Sequence, residues 1–458
     1  MSSYPKHINH ELSPMACPVD LDSVDLFGAG APEHWYEAYE ILHREAPVLR
    51  IAGGGIKPGT DAFVLTKHED ITRVVKDPDR FPALGQVRVG GYAEQGMTAE
   101  EAFATGHNLM QASMVSLRPT QELYIRHRKE LTDPWVGTGA LRHRDMIAKH
   151  ANDLIDAWDS DGEVEFIRNF ARPLPQRVMA SVLGFPLEDI AQLAKWGDAI
   201  VTPFVHGTGL KHELTLEQTK DMLDRLDGFQ DYIYEHVRVK RENPQDDMVS
   251  FLCRVHYEAL DRALTDLEIA GIVHAMIIGG LETTQYALEE QAQLLCERPG
   301  LFEQLRHDRK KLRAFTEEGL RLRSPTHGLS TRATSRDEVF QGVEVPAGSL
   351  LHLRFAAANV DAEEFTCPFD LDLERDGLTR HVTFSTGPRV CPGANLSRIE
   401  QQTAWGVVLD RLDSLEYGNG NDRLHQHGIM LGTLKLNVRF TKAQTPLKLG
   451  TGRATSVD

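Results

Sequence analysis

The chain has 458 residues, with 50 Lys and Arg against 67 Asp and Glu, a formal net charge of −17. Hydrophobic residues make up 41% and charged residues 26%, ordinary for a soluble globular protein, and the acidic balance argues against a nucleic-acid surface. Five cysteines, Cys17, Cys253, Cys296, Cys367 and Cys391, show no CxxC spacing, which excludes a disulfide framework or structural zinc site and points to a reducing compartment.

The N-terminal stretch MSSYPKHINHELSPMACPVD has no charged start followed by an apolar core, so no signal peptide is expected. The longest apolar run, Ile269 to Leu281, is interrupted by His274 and falls short of the ~20 residues of a membrane span. A cytoplasmic protein is expected.

Helical patterning dominates. HWYEAYEILHREA (34–46) repeats apolar residues at three and four and predicts a helix; TDAFVLT (60–66) predicts a short strand, with a helical HEDITRVV after it. Residues 82–119, rich in glycine, predict a long loop with one helical turn, and loops of that length are usually functional. Helices are expected at 120–135, 141–158, 172–183 and 187–200, then a break at 201–213 and a longer helix over 214–240. The longest helical stretch, Thr265 to Cys296, opens with a Thr265/Glu268 capping box and stops before Arg298-Pro299-Gly300. A helix over 310–323 precedes strand and turn signals at 339–355, a last helix at 394–413 and an alternating strand at 431–440. The expected class is mainly α with small β-sheets near both ends.

Cys391 stands in HVTFSTGPRVCPGANLSR (381–398). A lone cysteine is most often a small buried hydrophobe. Here Gly387 and Gly393 permit a tight turn, Pro388 and Pro392 stiffen it, and such a loop can aim backbone N–H groups at a thiolate.

The pattern Phe384-x-x-Gly387-x-Arg389-x-Cys391-x-Gly393 resembles the haem-binding loop of the cytochrome P450 family. Bacterial members more often carry Gly where Ser385 stands. The resemblance implies the fold of that family, a triangular helical prism with haem b between the long central helix and the helix after the cysteine. It implies one haem domain over 1–458, no fused reductase, and a flexible lead-in of about 25 residues. Cys391 would be the axial thiolate ligand of the iron.

Further motifs fit the same resemblance in family order. Gly279-Gly280-Leu281-Glu282-Thr283-Thr284 matches the acid–threonine segment of the central helix. Gly279 and Gly280 would let that helix pass close to the porphyrin, Thr283 would hydrogen-bond bound dioxygen, and Glu282 would relay protons. Read without the family, Thr283 bonds its own helix carbonyl and Glu282 is solvated. Glu318 and Arg321, three apart, with Arg375 match the family's structural triad beneath the cysteine loop. Arg332, Arg389 and Arg128 match its propionate-binding cations, with Tyr124 replacing the usual His four residues before Arg128.

The implied activity is a monooxygenase that uses O2 and NAD(P)H-derived electrons, delivered by a separate ferredoxin and ferredoxin reductase, to oxidise a terpenoid, steroid, fatty or aromatic compound. Peroxide use, desaturation or coupling are alternatives within the same chemistry, and a haem sensor is an alternative outside it. Retained Glu282 and Thr283 favour the monooxygenase. By family position Phe204, Val205, Ala275, Ile278, Gly279, Leu329, Ile429 and Met430 would line the substrate pocket, with plain core as the alternative, and His327 and His427 could orient a polar group. Arg126, Arg128, Lys129, Arg142 and Arg144, with Arg398, would offer a basic docking face to an acidic ferredoxin. A monomer is expected, without a membrane or nucleic-acid partner.

Overall fold

The central helix begins as its capping box requires. Thr265 Oγ1 accepts from the Glu268 N–H at 3.3 Å, and Glu268 Oε2 accepts from the Thr265 N–H at 2.9 Å. The computed structural model describes residues 17–443, apart from 29, 56, 107, 159–161, 206, 209–210, 213, 329, 422–423 and 427. For 88, 106, 200–205, 207–208, 211–212 and 330 it describes only the backbone.

The stretch expected to run unbroken to Cys296 is two helices, Asp266–Gly280 and Glu282–Glu297, meeting at Leu281. Two glycines, each about 1 kcal/mol poorer than alanine in a helix, weaken the ladder there. Together the 32 residues are long and apolar enough to cross a membrane, which the interrupted run Ile269–Leu281 did not predict. Their apolar window is 61% buried, however, as befits a core helix. Ile269, Ile272, Val273 and Ile277 join the largest apolar cluster with Leu109, Val115 and Phe229.

The segment 82–119 is not a loop. It forms three helices, Leu84–Glu94, Ala99–Gly106 and Leu109–Leu117. Its glycines lower local propensity, but Val89, Ala102, Leu109 and Ala112 are buried, and that packing overrides propensity. The break expected at 201–213 also starts late, because the helix Ile190–Val205 continues into it. The expected strand at 431–440 is shorter, Asn437–Lys442.

One sheet runs in the order Val48–Ile51, Ala62–Leu65, Leu350–Leu353 and Ser330–Ala333, with only the middle pairing parallel. It places Arg332 opposite Leu351, next to an isolated bridge between Arg332 and Ala83. A second sheet joins Leu412–Tyr417, Asn437–Lys442 and Gly162–Glu165.

A C-terminal hairpin pairs the backbone of Leu424 to Gln426 with that of Gly432 to Leu434, and His425 clasps it to the rest. Its Nδ1 lies 3.3 Å from Glu33 and its Nε2 3.1 Å from Glu290. Burial alone would lower its pKa, but the charges and hydrogen bonds of Glu290 and Glu33 outweigh burial and raise it to about 9. The folded value lies above the unfolded one, so this stabilisation is complete below pH 6.5 and lost as pH rises through about 9. Thermal denaturation followed between pH 6 and 9.5 should show a fall of about 2–3 kcal/mol that His425→Gln abolishes.

Candidate active site

Cys391 lies in a loop whose backbone is set by Gly387. That residue has φ +74°, and a Cβ on it would lie 3.0 Å from the Val75 carbonyl oxygen. The Cys391 N–H donates to the Phe384 carbonyl at 2.9 Å, and the helix Ala394–Arg411 begins three residues later. Burial pushes the thiol pKa up, while the N–H groups of Gly393 and Ala394 and the charges of Arg128 and Arg398 oppose it. Every residue from Thr383 to Gly393 keeps partial surface.

Ser385 holds a left-handed backbone, φ +59°, which costs a non-glycine residue about 1–2 kcal/mol. Its hydroxyl is buried with no hydrogen-bond partner. A glycine here would avoid both costs.

Beneath the loop, Arg321 forks onto Glu318 at 2.6 and 2.9 Å, and Arg375 reaches the same carboxylate at 3.0 Å. Arg321 also donates to the carbonyls of Asn359, Pro368 and Asp370. The Asn359 side chain then donates to Thr383 Oγ1 and accepts from the Val382 N–H, which carries the support into the cysteine loop. The expected triad is brought together.

A neighbouring support escaped sequence reading. Glu317 takes a fork from Arg398 at 2.7 and 3.0 Å and a bond from His381 Nε2 at 2.9 Å. Burial opposes its ionisation, but His381 and Arg398 bring it down to about 2. Arg398 also covers the Phe384 ring at 4.6 Å, so it braces the loop and is not a free docking charge. The signal was a second carboxylate beside Glu318.

On the side facing Tyr124, Arg128 starts a π-helical turn, Arg128–Thr132, inside the expected helix. Its Nη1 donates to the Val390 carbonyl at 2.5 Å. Arg389 lies over the Tyr124 ring at 4.5 Å and Arg118 at 5.7 Å. Tyr124 therefore offers a ring face to two guanidiniums. Arg118 carries no motif and went unnoticed in the sequence. Burial, reinforced by the charge of Arg389, lowers both Arg118 and Arg332 to about 10. Neither Arg118 nor Arg389 has an ion-pair partner among the described residues.

In the central helix, Ala275, Ile278, Gly279 and Thr283 keep surface among mostly buried neighbours. A Cβ on Gly279 would meet no atom within 4 Å. Gly280 differs from expectation: a Cβ there would lie 2.6 Å from Met179 Sδ, so Gly280 serves helix packing against Pro173–Leu183. Thr283 Oγ1 donates to the Gly279 carbonyl at 2.7 Å. Glu282 is half-buried and paired, not freely solvated: the Tyr286 hydroxyl donates to its Oε2 at 2.5 Å, and desolvation pushes its pKa to about 8. Thr284 Oγ1 and Ser397 Oγ, 3.0 Å apart, fasten this helix to the one after Cys391.

Of the expected pocket residues, Ile429 and Met430 are buried in a cluster with Tyr286. The side chains of Phe204 and Val205, and Leu329 and His427 entirely, lie outside the described residues. His327 is buried, stacking on Trp35 at 4.4 Å with its Nδ1 3.2 Å from the Tyr39 hydroxyl.

The family model of cytochrome P450 matches residues 210–440. The chain belongs to the cytochrome P450 family. It is 29% identical over 358 residues to cyclomarin C epoxidase CymV of Salinispora arenicola, covering 78% of this chain and 85% of that protein. It is 27% identical over 365 residues to cytochrome P450(MEG) of Priestia megaterium, covering 78% and 83%. Among solved structures, epothilone D-bound cytochrome P450epoK superposes with a TM-score of 0.75 at 22% identity, over 92% of this chain and 99% of that one. CYP109E1 of Bacillus megaterium in complex with testosterone gives 0.71 at 23%, over 88% and 98%. These two likenesses confirm the fold. As a cytochrome P450 the protein is a haem-thiolate monooxygenase, with a cysteine-ligated haem iron.

The residues present fit that cofactor. Arg118 and Arg389 are half-buried with no paired carboxylate; among carboxylates only the charge of Asp79 favours Arg389, and Arg389 Nε is buried without a hydrogen-bond partner. Both therefore suit anions, and haem brings two carboxylates. A Cβ on Gly279 would meet nothing within 4 Å and the cysteine loop keeps partial surface, so neither is closed off by protein packing.

Two outcomes follow from this geometry. Ser385→Gly should stabilise the fold by about 1 kcal/mol, read as a raised denaturation midpoint. Arg321→Ala, which leaves Glu318 buried and partly unpaired, should cost about 3–5 kcal/mol and sharply reduce the soluble haem-loaded fraction after expression.

Proposed function

We propose that this cytochrome P450 holds haem b through Cys391 and oxidises a small hydrophobic compound with O2, using electrons from NAD(P)H passed through a ferredoxin reductase and a separate ferredoxin. The observation that carries the reading is the gathering of Arg118, Arg128, Arg332 and Arg389 around Tyr124 and the Cys391 loop. When bound, the cofactor supplies dioxygen activation and transfer of one oxygen atom to the substrate.

The chain's own groups divide the remaining work. Arg118, Arg332 and Arg389 would neutralise the cofactor carboxylates, and Arg128, bonded to the Val390 carbonyl, would fix the loop beside them. The N–H groups of Gly393 and Ala394, with Arg128 and Arg398, favour the thiolate at Cys391 Sγ. Glu282, raised to about 8 by desolvation, can hold a proton on its carboxyl near neutral pH and hand it to water at the site. Thr283 Oγ stands one residue further along, its hydrogen now given to the Gly279 carbonyl, and can turn to hold a proton donor toward the site. Ala275 and Ile278 offer apolar surface on the same helix face. In keeping with this, one relative is named as an epoxidase and one structural neighbour is solved in complex with testosterone.

For electron delivery, Lys129, Arg142 and Arg144 remain exposed. Arg142 pairs with Asp246 at 2.9 Å, and Arg126 with Glu130 at 2.5 Å, which leaves Lys129 and Arg144 as the principal docking charges.

The test is a spectral-shift screen of the ferric protein with steroids, fatty acids and macrolides, followed by turnover with a surrogate ferredoxin and reductase. For a compound that shifts the spectrum, Thr283→Ala should sustain NAD(P)H use while product per NAD(P)H falls severalfold and peroxide rises. Unchanged coupling would remove Thr283 from the proton path.

A further inference from the structure

The acid Glu282 is held by a partner outside the family motif. Tyr286, one helical turn on, is 5% exposed, and its hydroxyl donates to Glu282 Oε2 at 2.5 Å. The Tyr286 ring lies in a small apolar cluster with Ile429 and Met430 of the C-terminal hairpin. Gly432 closes that contact: a Cβ on it would stand 2.7 Å from the Tyr286 ring and 2.7 Å from Gln426 Nε2. The hairpin's backbone therefore seats the ring, and the ring's hydroxyl seats the carboxylate.

We propose that Tyr286 is a positioning residue for Glu282, fixing where its carboxyl points and tying that orientation to the C-terminal hairpin. The inference rests on the reading of Glu282 as the proton-relay acid. Glu282 has two free rotations before its carboxyl group, and without a partner it would sample several of them. The Tyr286 hydroxyl selects one and keeps it on the hairpin side of the helix.

Other charges face the same carboxyl. Asp198, in the helix Ile190–Val205, disfavours its ionisation, and Arg172, which pairs with Asp198 at 2.6 Å, favours it. Glu289 faces Tyr286 from the same helix. A Cβ on Gly197 would lie 3.8 Å from Glu282 Oε1, so that helix closes the far side of the carboxyl. Among these groups Tyr286 alone forms a hydrogen bond with Glu282 among the described residues.

A hydroxyl that donates to a carboxylate stabilises the ionised form, so its removal raises the acid's pKa. The decisive experiment is pH-difference infrared spectroscopy of the substrate-free holoprotein, following the protonated-carboxyl stretch that Glu282→Gln removes. Tyr286→Phe should move the midpoint of that band up by about one pH unit. The bound-haem spectrum should stay as in the parent. Gly432→Ala keeps the phenol but displaces its ring, and it should move the midpoint in the same direction. An unchanged midpoint in both variants overturns the positioning role. If Glu282→Gln removes no titrating band, the relay reading of Glu282 itself fails, an outcome distinct from Tyr286 having no effect.

Discussion

Arg321 is an arginine with no exposed surface, and the geometry of the site depends on it. Taking a guanidinium out of water costs several kcal/mol, so the fold must give every donor a partner. Glu318 takes two of its hydrogens, and the carbonyls of Asn359, Pro368 and Asp370 take the rest. That demand freezes a stretch of chain with little regular structure of its own. Arg375 adds the carbonyls of Thr366 and Cys367 to the same network, and Asn359 passes its order to Val382 and Thr383. The loop that presents Cys391 is thus held from below by buried polar bonds.

From the fixed loop the site grows in two directions. Arg128 bonds the Val390 carbonyl, and the guanidiniums of Arg118 and Arg389 gather on Tyr124, so positive charge collects beside the cysteine loop. The link between Thr284 and Ser397 ties the loop's helix to the central helix. Glu282, between these supports, is placed by neighbouring elements: the hairpin through Tyr286 and the helix Ile190–Val205 through Gly197 and Asp198.

Residues whose roles follow from local spacing were legible in the sequence. The cysteine turn, the Glu318 and Arg321 pair and the capping box of Thr265 each act within a few positions of one another. Roles created by tertiary contact were not. Arg398 reads as a surface charge until Glu317, 81 residues away, takes its fork. Gly280 reads as a second bare position beside the cofactor until Met179 fills that side. Residues 82–119 read as loop because glycine lowers propensity, while the burial that makes them helical is invisible in one chain. Ser385 is an instructive case: the departure from glycine was plain, but only its positive φ and unpartnered hydroxyl show what the departure costs.

The central claim is that Cys391, and no other group, is the axial ligand. The most direct measurement is the absorption spectrum of the reduced, carbon monoxide-bound protein, compared between the parent and Cys391→Ser. The account predicts the thiolate-type band in the parent and its loss in the variant with haem still bound. A thiolate-type band that survives in Cys391→Ser would contradict it.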